Sequence, residues 1–65
     1  MSRTFKDKRL PKGVSIYLND FSEYVAVESG RVAQHENKNI RASRSLEGAV
    51  QRYLNKDTTS PLEVI

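Results

Sequence analysis

The chain of 65 residues is long enough for one small domain, because a chain this short forms a single core with only a few kcal/mol of net stability. It has no cysteine, which excludes disulfides and thiolate metal sites and favours a reducing compartment. No apolar run approaches the roughly 20 residues of a membrane span, and no apolar stretch follows the charged N-terminus as in a signal peptide. We therefore expect a cytoplasmic protein that does not enter a membrane.

The formal charge of +3 is unevenly distributed. Basic residues dominate segments 1–12 and 38–56, while segment 13–37 between them is acidic. Two basic segments of this kind suit a partner that carries phosphates, and they are equally compatible with an ordinary solvated surface. We predict a flexible basic arm over residues 1–12, a folded domain over 13–56 and a flexible tail over 57–65.

The first predicted strand begins at Val14, where apolar and polar residues start to alternate with the period of two that is typical of a strand. Segment 19–23 is rich in turn-forming residues, so we expect the chain to reverse there. Residues 24–28 then form a second strand, antiparallel to the first. The buried face of this pair is predicted to contain Val14, Ile16, Val25 and Val27.

Segment 29–39 allows more than one interpretation. A two-residue turn at 29–30 would place Glu28 opposite Arg31 in a tight hairpin. Alternatively, the whole segment is a long loop or a bulged extension of the neighbouring strands, and we favour this irregular extension. A second turn within residues 36–39 would add a fourth strand.

The third predicted strand, residues 40–43, leads almost directly into a helix that extends from Leu46 to about Asn55. The apolar residues of this helix recur with the spacing of one helix face, and Ser45 is a suitable N-cap. Gly48 costs about 1 kcal/mol relative to alanine inside a helix, and it also allows close packing against a strand. The predicted fold is therefore α+β: a three-stranded, or four-stranded, antiparallel sheet packed on one C-terminal helix.

No pattern in the sequence indicates catalysis, so we predict that the protein is not an enzyme and uses no cofactor. The only histidine, His35, lies in the polar segment after the second strand. His35 and Glu36 would supply two metal ligands without a third at suitable spacing. The three glycines lie too far apart to form a phosphate-binding loop. We expect no metal site.

The sheet face opposite the helix is predicted to carry the residues that suit DNA. Tyrosine and arginine side chains would lie side by side there, and a small antiparallel sheet can enter the major groove, where arginine reads guanine edges. The alternative is that the two tyrosines form a cross-strand pair that only stabilises the sheet. The predicted contacts are Lys6, Lys8, Arg9 and Lys12 to phosphates, Arg41 and Ser43 to base edges, and Tyr17, Tyr24 and Arg44 in positioning the sheet, with Ser15 on the same face.

Several short motifs between residues 12 and 55 support this prediction. They comprise the runs at 12–16 and 23–27, followed by Ile40, Ser45, Ala49 and Tyr53. Together they resemble the AP2-type DNA-binding domain of phage homing endonucleases, and they are similar to the arm-binding N-terminal domain of tyrosine integrases. The resemblance implies a phage or mobile-element protein that lays a three-stranded sheet, backed by its helix, in the major groove, with the basic arm along the DNA backbone.

Two functional hypotheses follow from the sequence. The first is a small regulator or recombination accessory factor that binds double-stranded DNA in the cytoplasm, which is the host cell cytoplasm if a phage encodes the chain. The alternative is a protein-interaction or inhibitor domain that binds a host protein through the same sheet face or through the acidic segment 29–37. The salt dependence of binding separates the two, because contacts to phosphates weaken steeply as salt rises.

Overall fold

The structure, a computed structural model, describes residues 3–58 of the chain. It confirms the α+β class: a four-stranded antiparallel sheet in the order β1-β2-β3-β4, a separate hairpin of β5 and β6, and one helix packed on the sheet. The elements are β1 (Thr4–Phe5), β2 (Val14–Leu18), β3 (Tyr24–Glu28), β4 (Arg31–Val32), β5 (Gln34–His35), β6 (Lys38–Asn39) and α1 (Leu46–Leu54). Over residues 3–58 no helix is long and apolar enough to span a membrane.

The hairpin of β2 and β3 forms the centre of the sheet. Ile16 pairs with Ala26, and paired residues of antiparallel strands point to the same side, so both face the helix. Both side chains are fully buried. The helix lies mainly over β3, where the small side chain of Ala26 lets it approach the sheet closely.

The prediction that Val25 and Val27 face the helix is wrong. They pair with Tyr17 and Ser15 on the side of the sheet away from α1, and both are only half-buried. The length of the connecting loop is the cause. Five residues, 19–23, separate the two strands, and a loop with an odd number of residues pairs even-numbered residues of β2 with even-numbered residues of β3, and odd with odd. A shift of one residue in this register exchanges the two faces of the strand.

The two-residue turn at 29–30 is present, so the irregular extension that we favoured for this part of the chain is wrong. Ser29 and Gly30 have φ values of 52° and 84°, and two successive left-handed residues are typical of a type I′ hairpin turn. The turn places Glu28 opposite Arg31. A similar turn at residues 36–37, also with positive φ at both positions, joins β5 to β6.

The third strand predicted at residues 40–43 is absent as a regular strand. Only its ends pair, the first residue in a bridge to Thr58 and the last in a bridge to Tyr24. β4 already pairs with the second half of β3. Segment 40–43 therefore reaches only the first residue of β3, along the edge that faces away from β2.

Residues 3–12, predicted to form an arm outside the domain, contribute to the folded unit. β1 pairs with β2 as an edge strand, and Phe5 packs against the core. Leu10 is buried, with 8% of its surface exposed. The hydrophobic core thus includes residues on the N-terminal side of the boundary predicted at residue 13. Of the predicted tail, residues 57 and 58 contact segment 40–43, and 59–65 lie outside the described residues.

The predicted helix is confirmed, together with its N-cap. The Ser45 Oγ accepts a hydrogen bond from the Gly48 N–H at 3.0 Å, and Asn55 ends the helix as its C-cap. A Cβ on Gly48 would collide with the Ser43 Oγ, so the missing side chain lets segment 40–43 pack against the helix. The buried residues of the hydrophobic core are Leu10, Val14, Ile16, Ala26, Ala33, Ile40, Ala49 and Val50.

Candidate nucleic-acid interface

The side of the four-stranded sheet that faces away from α1 is the surface predicted to meet DNA, and we call it the open face. Hydroxyl-bearing side chains occupy it on β1 and β2, and valines occupy it on β3 and β4. None of its positions carries a charge. Its members, assigned from the strand pairing, are Thr4, Ser15, Tyr17, Val25, Val27 and Val32.

A depression of about 410 Å³ lies on the open face, along β2. Its lining extends from Thr4 and Tyr17 to Val27 and the turn at 29–30. No cation is part of the lining, so the depression suits an apolar or aromatic group better than a phosphate. The valines and the depression were not predicted as part of a site, because the predicted register placed β3 with its valines against the helix.

Two of the residues predicted to share this face lie on the other side of the sheet. Tyr24 faces the helix, and its ring centroid lies 5.9 Å from that of Phe5. Ser43 pairs with Tyr24, and its Oγ accepts a hydrogen bond from the Ser45 N–H at 3.3 Å. The prediction that Tyr24 and Ser43 belong to the open face is therefore wrong. The two faces of β3 are exchanged relative to the predicted register, and Ser43 lies on the same side of the sheet as its partner Tyr24.

Arg41, the side chain predicted to read bases, does not join Tyr17. Its segment lies beyond the edge of β3, whereas Tyr17 lies in β2. The Arg41 N–H donates to the Asp57 carbonyl at 2.9 Å, and the residue is half-buried. Of the predicted sheet residues, the structure thus leaves only Ser15 and Tyr17 together on the open face.

Arg9 binds two carboxylates rather than lying free for a phosphate. Its guanidinium donates to Asp7 through Nε and Nη2 at 2.9 and 2.8 Å, and to Glu47 through Nη1 and Nη2 at 2.7 and 2.8 Å. Hydrogen bonds from Arg9 hold the pKa of Asp7 far below its usual value and lower the pKa of Glu47 to about 2. The pairing attaches the N-terminal segment to the first turn of α1.

The remaining charges leave the surface positive. Asp20 and Asp57 are also in ion pairs, with Arg3 at 2.6 Å and with Arg52 at 3.2 Å. Most of the basic side chains have no such partner among residues 3–58. These exposed, unpaired cations are Lys6, Lys8, Lys12, Arg31, Lys38, Arg44 and Lys56. Arg31, Lys38 and Lys56 were not among the predicted contacts, although Lys38 and Lys56 belong to the basic segment 38–56.

Lys8 and Arg44 flank the first turn of α1. Lys8 precedes Arg9, whose guanidinium contacts the first turn at Glu47, and Arg44 precedes the cap residue Ser45. The positive end of the helix dipole adds to their field. Lys8, a predicted phosphate contact, and Arg44, predicted to help position the sheet, thus both adjoin residues at this end of the helix.

Comparisons of the chain with protein-family models, with curated proteins and with solved structures find no match. The resemblance to the AP2-type domain thus depends on sequence motifs alone. In the structure these motifs supply core positions, among them Val14, Ala26 and Ala49. Within the described range, no group of three potential ligands of the His, Cys, Asp or Glu type lies close enough to hold a metal ion.

Proposed function

We propose that the protein binds double-stranded DNA mainly through the phosphate backbone, with little preference for sequence. The observation that carries the proposal is the imbalance of surface charge. Among residues 3–58, four of the seven carboxylates pair with an arginine, whereas seven exposed lysines and arginines, Lys8 and Arg44 among them, have no such partner. When unpaired lysines and arginines bind phosphates, they displace the counterions condensed on the DNA. The release of these counterions supplies most of the affinity of sequence-independent binding.

The composition of the open face explains why the preference is weak. Discrimination between bases depends largely on arginine, asparagine and glutamine, whose paired hydrogen bonds match base edges. The open face offers hydroxyls and valines instead, which can contact sugar, phosphate or a thymine methyl group. The resemblance to AP2-type domains implies that this face enters the major groove, with Ser15 and Tyr17 nearest to bases. Lys8 and Arg44 lie beside α1, on the other side of the sheet, so the backbone contacts proposed for them do not depend on that orientation.

A protein-interaction domain is the second candidate, and the apolar part of the open face favours it. Tyr17 and Val32 are exposed by 38% and 40%, and they accompany Val25 and Val27 next to the depression. Uncharged surface of this kind is more typical of a contact with protein than of a contact with phosphates.

Binding of duplex DNA by a charge-removing variant and a control variant tests the proposal. The double variant Lys8→Gln/Arg44→Gln should bind duplexes of different sequence more weakly by a similar factor, and the slope of log affinity against log salt should become shallower by about 1.8, since each phosphate contact contributes about 0.9. Arg52→Gln is the matched control, because its charge is already paired with Asp57, and it should bind almost as the parent does.

Fluorescence anisotropy of a labelled duplex is a suitable readout, with the fold of each variant checked by circular dichroism. The proposal fails if the parent does not bind duplex at low salt. It also fails if Tyr17→Ala removes binding while the double variant binds as the parent does, because the open face and not the charge would then carry the interaction.

A further inference from the structure

Phe21 is displayed to solvent on an ordered loop. Its side chain is 81% exposed, although the loop that carries it, residues 19–23, is held by several hydrogen bonds. The Asn19 Oδ1 accepts from the N–H groups of Phe21 and Glu23 at 2.8 and 3.0 Å, and the Asn19 N–H donates to the Glu23 carbonyl at 2.9 Å. An aromatic ring on a preorganised loop loses little conformational entropy on binding, as interface anchors require.

The depression on the open face extends along β2, from Gly13 and the turn at 29–30 to Tyr17 and the paired Thr4 of β1. Phe21 lies in the loop after β2, at the end of the hairpin away from the turn at 29–30. The exposure of Phe21 shows that its ring does not occupy the depression of its own molecule. The protein therefore displays an aromatic ring on one loop and an uncharged hollow on its open face.

We propose that Phe21 of one molecule inserts into the depression of a second copy, in a head-to-tail contact. A space of about 410 Å³ has room for a phenyl ring. The Tyr17 ring and the Val27 side chain would line it on the sheet side. Burial of exposed aromatic surface against these groups is the favourable contribution.

The charges around Phe21 and around the depression favour a second copy of the chain as the occupant. Asp20 and Glu23 flank Phe21 in its loop, and Arg3 is the only basic partner there within the described chain. Gly13 of the depression adjoins Lys12, which is exposed and in no ion pair within residues 3–58. Arg31, next to Gly30, pairs with Glu28, and both lie on the helix-facing side of the sheet. The acidic loop thus meets Lys12 when two copies associate head to tail.

Such a contact does not close on itself. Each dimer retains one unused Phe21 and one unused depression, so further copies add to both ends and an open chain of molecules forms. Lys8 and Arg44, at the start of α1, take no part in the contact, so the inference goes beyond DNA binding and does not depend on it. Because Ser15 and Tyr17 line the depression, insertion of Phe21 covers the part of the open face proposed to lie nearest to bases.

Sedimentation velocity of the full chain at rising concentration, from about 10 μM to about 1 mM, tests the proposal. The weight-average sedimentation coefficient of the parent should increase over this range. Phe21→Ala, which lacks the inserted ring, and Ser15→Trp, which fills the depression, should each need at least about 30-fold higher concentration to associate, as expected for the loss of an aromatic anchor. Leu54→Ala, which removes an apolar side chain that is 40% exposed on another part of the surface, should associate as the parent does.

Mixing the two defective variants gives the sharpest result. The intact Phe21 of the Ser15→Trp chain should enter the intact depression of the Phe21→Ala chain, so the equimolar mixture should form heterodimers and nothing larger. If Ser15→Trp does not fold, Tyr17→Arg replaces it. The proposal is overturned if the parent stays monomeric, if Phe21→Ala associates like the parent, or if the mixture does not associate. Concentration-independent nuclear Overhauser contacts between Val27 and residues 59–65 would also overturn it, because the chain's own C-terminal segment would then occupy the depression.

Discussion

Replacement of Gly48 by alanine should destabilise the protein, although alanine is the better helix former. At an unobstructed position the exchange would add about 1 kcal/mol to the free energy of unfolding. Here the new Cβ would lie 2.8 Å from the Ser45 Oγ and 3.1 Å from the Ser43 Cβ, and it would collide with the Ser43 Oγ. Overpacking of this kind costs about 1 to 3 kcal/mol. Rotation of the Ser43 hydroxyl would also break its hydrogen bond from the Ser45 N–H, a further loss of about 1 kcal/mol. We therefore expect a net loss of about 1 to 3 kcal/mol.

Urea unfolding followed by circular dichroism measures this difference, and a second variant identifies its cause. Ser43→Ala removes the hydroxyl that collides, so the double variant Ser43→Ala/Gly48→Ala should be destabilised by clearly less than the sum of the two single changes. If Gly48→Ala instead raises the free energy of unfolding by about 1 kcal/mol, the helix position is unobstructed. Segment 40–43 would then not pack against α1 as described.

Two further predictions concern the register of the sheet and the ion pairs of Arg9. Ile16→Ala should lower the free energy of unfolding by about 3 to 4 kcal/mol, because the Ile16 side chain is fully buried. Val25→Ala should lower it by about 1 kcal/mol or less, because Val25 lies on the open face. Equal losses in chemical denaturation would contradict the register. Because the pKa of Glu47 is lowered to about 2, its stabilising contribution is present above the ordinary glutamate pKa and is lost as pH falls toward 2. Glu47→Gln should therefore flatten the dependence of stability on pH in this range, and an unchanged profile would show that the pair with Arg9 is not formed in solution.

The elements that sequence could predict are those defined by local chemistry. The apolar spacing of α1 and the hydroxyl of Ser45 specify the helix and its start without help from the rest of the chain. β1 could not be predicted in this way, because two residues have no periodicity of their own and form a strand only by pairing with β2. The choice between alternatives at 29–30 likewise depended on whether Ser29 adopts a left-handed conformation, which serine does less readily than glycine.

The candidate site was harder to predict than the fold because it depends on the register of one strand. Apolar Val25 and Val27 resemble core residues, and Ala26 between them does not, yet the five-residue loop before β3 decides which of them is buried. The helix then packs over the small residue. This one difference takes Tyr24 away from the open face and puts valines there, so the surface predicted to read bases is largely uncharged.

The salt dependence of duplex binding is the most direct test of the proposed function. Affinity of the full chain for a mixed-sequence duplex should be measured between about 50 and 200 mM salt, where contacts to phosphates weaken most visibly. If the unpaired cations bind the backbone, the slope of log affinity against log salt should be about −3 or steeper, as for at least three or four phosphate contacts at about −0.9 each. A slope near zero, or no binding at the lowest salt, would contradict the proposal and favour a protein partner for the open face.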